Sequence, residues 1–278
     1  MNVLSAEHYL GLVALGMLVG CYGTLIGAGG GFVLMPVLLL LYPHQSASLL
    51  TCISLAVVFF NALSGSEAYA LLKRIDYRSG LMFSAATIPG AILGALHTSY
   101  VPRRLFDLIF GVLLLAAAAF LAWQPNKDKI NQKLFGIGRH HVARKLVDAH
   151  GITYEYDVNW PLGMAISIVV GYVSSFLGIG GGIIHVPALS YFLNFPIHIA
   201  TATSHFILAI MALTGTVVHI LTGTFAHGVH RTIVLAIGVV LGAQIGARLS
   251  DKIRGRWIIR ALAMALGIVG LRILFTTW

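Results

Sequence analysis

The sequence predicts an all-α polytopic integral membrane protein made of two homologous repeats. Three observations support this: 58% of the 278 residues are hydrophobic, only 10% are charged, and one glycine-rich sequence occurs twice. Apolar stretches recur along the chain, and several exceed the roughly 18–20 residues that a helix needs to cross the hydrocarbon core. The first apolar run has no basic region before it, so we expect it to remain in the mature protein rather than to be cleaved as a signal peptide.

A glycine cluster followed by a proline interrupts the apolar sequence of each half. Residues 25–36 are Leu-Ile-Gly-Ala-Gly-Gly-Gly-Phe-Val-Leu-Met-Pro, and residues 176–187 are Phe-Leu-Gly-Ile-Gly-Gly-Gly-Ile-Ile-His-Val-Pro. Glycine and proline are the residues least able to continue a helix, and a bilayer has no water to satisfy broken backbone. Matching helix breaks in two halves therefore indicate a transport site.

The repeat extends beyond the glycines. Thr51-Cys52-Ile53-Ser54 aligns with Thr201-Ala202-Thr203-Ser204, and Gly90–Ala95 aligns with Gly242–Ala247, at offsets of 150 and 152 residues. We therefore predict a first transmembrane repeat over residues 1–123, a basic polar linker over 124–159 and a second repeat over 160–278. Each repeat is expected to hold about four long helices plus a broken, re-entrant glycine-rich helix.

The linker is too short to form a domain with its own core. It carries six Lys and Arg residues and a strand-like segment at 152–158. We predict a surface loop with a little local structure. The net charge of +9 comes from basic residues that flank apolar runs, which indicates membrane topology rather than nucleic-acid binding.

The distribution of Lys and Arg favours inverted repeats. Four plain spans per half divide the 18 basic residues 11 to 7 between the two sides of the membrane, whereas a chain that doubles back at each glycine break divides them 14 to 4. The positive-inside rule favours the second arrangement, with both termini outside and the linker in the cytoplasm. Parallel repeats remain the alternative.

On these residues the chain resembles the sulfite exporter TauE/SafE family, also called the toluene sulfonate uptake permease family. The resemblance covers essentially the whole length and rests on Gly27–Pro36, Gly178–Pro187 and the Thr203-Ser204 element. It implies a secondary transporter of a small anion such as sulfite, sulfoacetate or another sulfonate. The direction varies within the family, and export is the direction that we expect. It also implies the bacterial inner membrane as the location, and it does not identify the anion.

An anion in a low-dielectric site needs hydrogen-bond donors and positive potential, and a helix N-terminus supplies both. We predict that the backbone N–H groups of the two glycine clusters bind the substrate, although close helix packing would also select small residues. Nearby hydroxyls are further donors, unless they bond back to their own helices. The predicted backbone and hydroxyl ligands are Gly29, Gly30, Gly31, Gly180, Gly181, Gly182, Thr51, Ser54, Thr201, Thr203 and Ser204.

Histidines are the other candidate ligands. His185 lies inside the second glycine motif, His205 directly follows Ser204, and His219 lies 14 residues further on. A 14-residue spacing is close to four helical turns, so His205 and His219 share a helix face. We predict His185 and His205 as substrate ligands and His219 as a residue of the transport path, with a proton as the candidate coupling ion. Packing histidines are the alternative.

Carboxylates are scarce, which argues against a cation pump. Glu67 is a candidate carrier of a coupling proton or an interfacial residue, and Gln244 either lines the path or bonds across helices. Cys21 and Cys52 are expected to be packing residues. The sequence predicts no cofactor, no metal site and no enzyme activity, since no H-E-x-x-H or comparable spacing accompanies the 12 histidines. A channel-like anion facilitator and, more remotely, a membrane metalloenzyme are the competing functions, and the oligomeric state is left open.

Overall fold

The computed structural model describes residues 6–123, 141–250 and 255–277. It confirms an all-α polytopic fold, and each half contributes helices in the same order. The helices of the first half are α1 (Ala6–Ile26), α2 (Gly31–Leu41), α3 (Ala47–Leu71), α4 (Tyr77–Thr98) and α5 (Arg103–Trp123). Those of the second half are α6 (Trp160–Leu177), α7 (Gly182–Pro187), α8 (Ile197–Leu221), α9 (Val229–Leu249) and α10 (Gly255–Thr277).

Length and apolar composition together identify the helices that could span a membrane. Within the described ranges, α1, α3, α4, α6, α8 and α9 are long and apolar enough to cross a membrane. By contrast, α2 has 11 residues, and α7 has 6 before it continues as a π-helical turn over Ala188–Phe192. Neither short element can cross a bilayer of about 30 Å by itself.

Glycines allow two helix pairs to pack at backbone distance. A Cβ built on Gly238 of α9 would lie 2.8 Å from the backbone nitrogen of Met17 in α1. The equivalent contact of the other pair joins Gly90 of α4 to the backbone nitrogen of Tyr172 in α6, also at 2.8 Å. In both pairs, residues later in one helix contact residues later in the other, so α1 runs parallel to α9 and α4 runs parallel to α6.

Equivalent helices of the two halves meet in two antiparallel pairs, α3 with α8 and α5 with α10. Along α3 and α8, Gly65 lies against His205, whereas Gly215 lies against Leu55. A Cβ on Gly111, in the first half of α5, would lie 2.7 Å from the side chain of Leu274, near the end of α10.

Short α2 and its following loop lie at the same end of the bundle as the starts of α5 and α9. Arg103, at the start of α5, donates hydrogen bonds to the carbonyl oxygens of Leu39 at 3.2 Å and Gln45 at 2.6 Å. Arg231, in the first turn of α9, stacks 4.2 Å from the ring centre of Tyr42. These contacts place Arg103 and Arg231 together.

The described part of the linker forms a hairpin at the other end of the bundle. Strands β1 (His141–Val147) and β2 (Thr153–Asn159) pair antiparallel, and β2 covers most of the strand-like segment predicted at 152–158. Residues 124–140 of the predicted linker lie outside the described residues. A buried ion pair of 3.2 Å between Arg74 and Asp148 fastens the hairpin to the loop after α3.

Asp76 makes the second attachment of the hairpin. Its carboxylate accepts hydrogen bonds from Arg144 of β1, from the Tyr156 hydroxyl of β2 at 3.0 Å, and from the Ser79 hydroxyl at 2.7 Å. Its backbone N–H donates to the Thr203 hydroxyl of α8 at 3.0 Å. Burial raises the pKa of Asp76, but the hydrogen bonds from Arg144 and Ser79 outweigh it and hold the pKa below its ordinary value.

Candidate functional site

Two glycine loops, at residues 27–30 and 178–181, connect α1 to α2 and α6 to α7. Each loop has three glycines with positive φ, a conformation that only glycine adopts without strain. These glycines are at matching positions of the repeat, and their φ angles lie between 69° and 82°: Gly27, Gly29 and Gly30 in the first loop, and Gly178, Gly180 and Gly181 in the second. The glycine motif therefore specifies the same chain reversal twice.

The two loops touch each other. A Cβ built on Gly31 would lie 2.7 Å from the carbonyl oxygen of Ile179, and one on Gly182 would lie 2.5 Å from the carbonyl oxygen of Gly27. Val58 of α3 lies against both loops, at Gly29 and at Gly180. The loops therefore meet where α3 and α8 cross, and close packing is one reason for their glycines.

Packing does not account for the backbone donors of the loops. The N–H groups of Gly30 and Gly31 have no acceptor among the described residues, and neither do those of Gly180 and Gly181. Two of the predicted donors are different because they are paired: the Gly29 N–H donates to the carbonyl oxygen of Gly23 at 3.2 Å, and the Gly182 N–H donates to the carbonyl oxygen of Gly180 at 2.9 Å. Buried N–H groups in proteins are nearly always paired, so four unpaired donors at one crossing are a feature of a ligand site.

The predicted hydroxyl ligands of the first half face the glycine loop of the second. A Cβ on Gly178 would lie 3.0 Å from the Cα of Thr51. Ser54 donates a 2.5 Å hydrogen bond to the Gly178 carbonyl oxygen. Both side chains are fully buried, and the Thr51 hydroxyl has no partner among the residues described.

The second half places its Thr-Ser element differently. A Cβ on Gly27 would lie 2.9 Å from the Cα of Thr201, which repeats the contact between Gly178 and Thr51. Thr203 accepts the backbone N–H of Asp76 and so supports the start of α4. The buried Ser204 hydroxyl has no partner in the described part of the chain.

His205 belongs to a buried polar network beside the first loop. Its Nε2 lies 3.3 Å from the Thr24 hydroxyl, which donates to Asn61 Oδ1 at 3.0 Å. The Tyr69 hydroxyl donates to the Thr24 carbonyl oxygen at 2.8 Å. The Asn61 amide nitrogen has no partner among the described residues and faces Gly30, whose Cβ would lie 3.4 Å away. Asn61 is thus a side-chain donor directed at the loop.

The other two candidate histidines are also buried. His185 Nε2 lies 3.2 Å from the Ser167 hydroxyl of α6, which itself donates to the Gly163 carbonyl oxygen. His219 is fully buried in α8, and neither of its ring nitrogens has a partner within the described ranges. His185 therefore bridges α6 and α7, while His219 is an unpaired donor and acceptor.

The remaining candidates lie away from the loop contact. Glu67 is exposed on the outer face of α3. Gln244 of α9 donates to the Ser64 hydroxyl at 2.9 Å and to the Ser64 carbonyl oxygen at 3.0 Å. Gln244 therefore makes an interhelical hydrogen bond. Among the described residues, no group of three His, Cys, Asp or Glu side chains could hold a metal ion.

Five polar residues that the fold brings to this region were not predicted from the sequence. They are Thr24, Asn61 and Tyr69 beside the first loop, and Ser174 and Ser175 beside the second. A signal was present, because Thr24 aligns with Ser175 at an offset of 151 residues, and Tyr69 aligns with His219 at an offset of 150. Polar residues at matching positions of an apolar repeat would have singled out Thr24, Tyr69 and Ser175.

Comparison with known proteins gives a consistent family. The model of the sulfite exporter TauE/SafE family matches residues 12–273. A probable membrane transporter protein of Bacillus subtilis, YunE, is 32% identical over 95% of this chain and 96% of its own length. A probable membrane transporter protein of Methanocaldococcus jannaschii is 22% identical over 94% of this chain and 93% of its own length. No solved structure matches the chain significantly. The chain therefore belongs to the sulfite exporter TauE/SafE family.

Proposed function

We propose that this protein is a secondary transporter that exports a small sulfur-containing or organic anion, such as sulfite, sulfoacetate or another sulfonate. The name of the family model supports the substrate class, and the names of the relatives support membrane transport. The observation that carries the proposal is the pair of glycine loops with unpaired N–H groups at their crossing.

The substrate site in this proposal is the crossing of the two loops. The N–H groups of Gly30, Gly31, Gly180 and Gly181 are donors for the anion's oxygens, and Asn61 adds a side-chain donor from α3. Backbone amides and an uncharged amide compensate a single negative charge without a Lys or Arg. Glycine allows the anion to approach this backbone because no side chain separates them.

Alternating access follows from the relation between the halves in this proposal. Antiparallel contact between α3 and α8, and between α5 and α10, supports inverted repeats with a two-fold axis in the membrane plane. The grouping of Arg103 with Arg231 also supports them, because the arrangement with four plain spans per half puts these residues on opposite sides. Rocking of one repeat against the other would expose the crossing to each side in turn.

The orientation in the membrane is part of the proposal. The hairpin and the loop after α3 carry basic residues of the larger group, and they lie together at one end of the bundle. The positive-inside rule assigns that end to the cytoplasm. In this proposal the linker lies in the cytoplasm, and Arg103 and Arg231 lie on the outside of the inner membrane.

A flux screen in proteoliposomes tests the function. Purified protein is reconstituted, and the flux of sulfite, sulfate, thiosulfate, sulfoacetate, taurine and simple carboxylates is compared with that in protein-free vesicles. We expect saturable flux of at least one sulfur oxyanion, accelerated by unlabelled anion on the opposite side. Flux that does not saturate would support a channel-like facilitator, and no flux of any of these anions would contradict the proposal.

A further inference from the structure

Two polar clusters flank the crossing of the glycine loops at equivalent positions of the two repeats. The Tyr69 cluster consists of Thr24, Gly65, Tyr69 and His205. The His219 cluster consists of their counterparts, which are Ser175, Gly215, His219 and Leu55. In the first cluster a Cβ on Gly65 would lie 3.0 Å from the Thr24 side chain, and in the second a Cβ on Gly215 would lie 3.3 Å from the Ser175 hydroxyl. The local packing is therefore repeated.

The two clusters differ in hydrogen bonding. In the Tyr69 cluster the Tyr69 hydroxyl, the Thr24 hydroxyl and His205 Nε2 all have partners. In the His219 cluster both ring nitrogens of His219 and the Ser175 hydroxyl lack partners among the described residues, although both residues are fully buried. His219 follows Gly215 by one helical turn and so lies on the face of α8 that meets Ser175.

The neighbours of the His219 cluster explain why its polar groups are unpaired. Leu55 occupies the position equivalent to His205, and Met211 occupies the position equivalent to Asn61. Leucine has no hydrogen-bonding atom, and the methionine sulfur is a much weaker acceptor than the Asn61 amide oxygen. Serine hydroxyls in membrane helices commonly donate to a carbonyl of their own helix. Neither Ser174 nor Ser175 makes such a bond, whereas Ser167 of the same helix does.

Ser174 connects the His219 cluster to the second glycine loop. A Cβ built on Gly181 would lie 2.5 Å from the Ser174 hydroxyl, which also has no partner within the described part of the chain. The Ser174 hydroxyl therefore lies beside the loop, while Ser175 of α6 and His219 of α8 lie further along these two helices. Unpaired polar groups of this kind, buried together, indicate a polar ligand.

We propose that Ser174, Ser175 and His219 form a subsite for the oxygens of the transported anion, on the side of the crossing opposite the hairpin. This inference rests on the proposed transport function and extends its site by three side chains. Two hydroxyls and one ring N–H supply donors without a formal charge, which suits the oxygens of a sulfonate or sulfite group. His205 lies about 21 Å along the helix from His219 at 1.5 Å per residue, so these two histidines lie on opposite sides of the crossing.

Sulfoacetate is the probe for a test with two measurements. The first is the KM of sulfoacetate flux in proteoliposomes, and the second is the shift in melting temperature that sulfoacetate produces in detergent. The variants are His219→Leu, His219→Gln and Ser175→Ala. Thr214→Ala is the matched control, because its hydroxyl bonds to the Ile210 carbonyl oxygen of the same helix.

We expect His219→Leu and Ser175→Ala each to raise the KM about tenfold, since each removes a hydrogen bond to a charged ligand. His219→Gln keeps a donor and should stay within about threefold of the unmodified protein, and Thr214→Ala should match it. The shift in melting temperature should shrink in His219→Leu and Ser175→Ala. If His219→Leu does not fold, Ser175→Ala decides, because it removes a single oxygen.

The outcomes separate the subsite from the transport function. Flux by the unmodified protein with an unchanged KM in both His219→Leu and Ser175→Ala would overturn the subsite and leave transport standing. A second outcome is that sulfoacetate stabilises the unmodified protein but not these variants, and that the unmodified protein shows no flux. This outcome would overturn transport of this anion and leave the subsite standing. Neither flux nor stabilisation in the unmodified protein would overturn both.

Discussion

Ser54 of α3 donates a 2.5 Å hydrogen bond to the carbonyl oxygen of Gly178, so a helix of the first half holds the glycine loop of the second. Its counterpart, Ser204, is equally buried but has no partner among the described residues. Ser54→Ala should lower the free energy of unfolding by about 1 kcal/mol because the Gly178 carbonyl loses its donor. Ser204→Ala should leave it nearly unchanged. Thermal unfolding in detergent compares the two, and equal losses would contradict the asymmetry.

Asp76 joins the hairpin, the start of α4 and Thr203 of α8. Its side chain is 1% exposed, and Arg144 is its ionic partner. Asp76→Asn should destabilise the docked hairpin by about 3 kcal/mol because the buried ion pair is broken. Limited proteolysis of the hairpin measures this. Lys145→Ala removes the exposed ion pair with Glu155, and its hairpin should be cleaved no faster than that of the unmodified protein.

Protonation of the Asp76 carboxylate should weaken the docking of the hairpin at low pH. The pKa of Asp76 is lower in the folded protein than its ordinary value of about 3.9. Its contribution to stability is therefore fully present above that ordinary value and is lost as the pH falls through the lower folded pKa. Proteolysis by an acid-active protease should accelerate below about pH 4 in the unmodified protein. Asp76→Asn should show a much weaker pH dependence, and identical profiles would contradict the prediction.

Cysteine labelling tests the orientation. In a background of Cys21→Ala and Cys52→Ala, Glu155→Cys places a thiol on the exposed hairpin and Arg104→Cys places one at the start of α5. A membrane-impermeant maleimide added to intact cells should label Arg104→Cys only, and inverted vesicles should give the reverse result. Labelling of Glu155→Cys from outside would contradict the cytoplasmic hairpin.

The fold class and the two chain reversals could be predicted because glycine, proline and apolar length act locally. The antiparallel crossing of α3 and α8 required the charge count, since hydrophobic patterns are the same for either relative orientation of the halves. The role of Thr203 could not be predicted, because its partner Asp76 is 127 residues away. For Gln244 a bond across helices was one of two alternatives, and its partner Ser64, 180 residues away, could not be named. A buried hydroxyl looks the same in a sequence whether it supports a helix end, bonds across helices or faces a ligand.

The central claim is that backbone N–H groups of the glycine loops bind the anion. Gly30→Val and Gly181→Val put a side chain at positive φ and block the approach to the loop backbone. Gly11→Val of α1 is the control, because a Cβ there meets nothing within 4 Å. The mutations themselves are expected to leave enough protein folded in the membrane for comparison at equal reconstituted amounts.

The most direct measurement is the initial rate of sulfite flux in proteoliposomes for these three variants and the unmodified protein, with the folded fraction measured by size-exclusion chromatography. The account predicts that Gly30→Val and Gly181→Val lose at least about 99% of the flux, equal to roughly 2.7 kcal/mol of binding or barrier energy, while Gly11→Val keeps it. Flux at the unmodified rate in both loop variants would contradict the account.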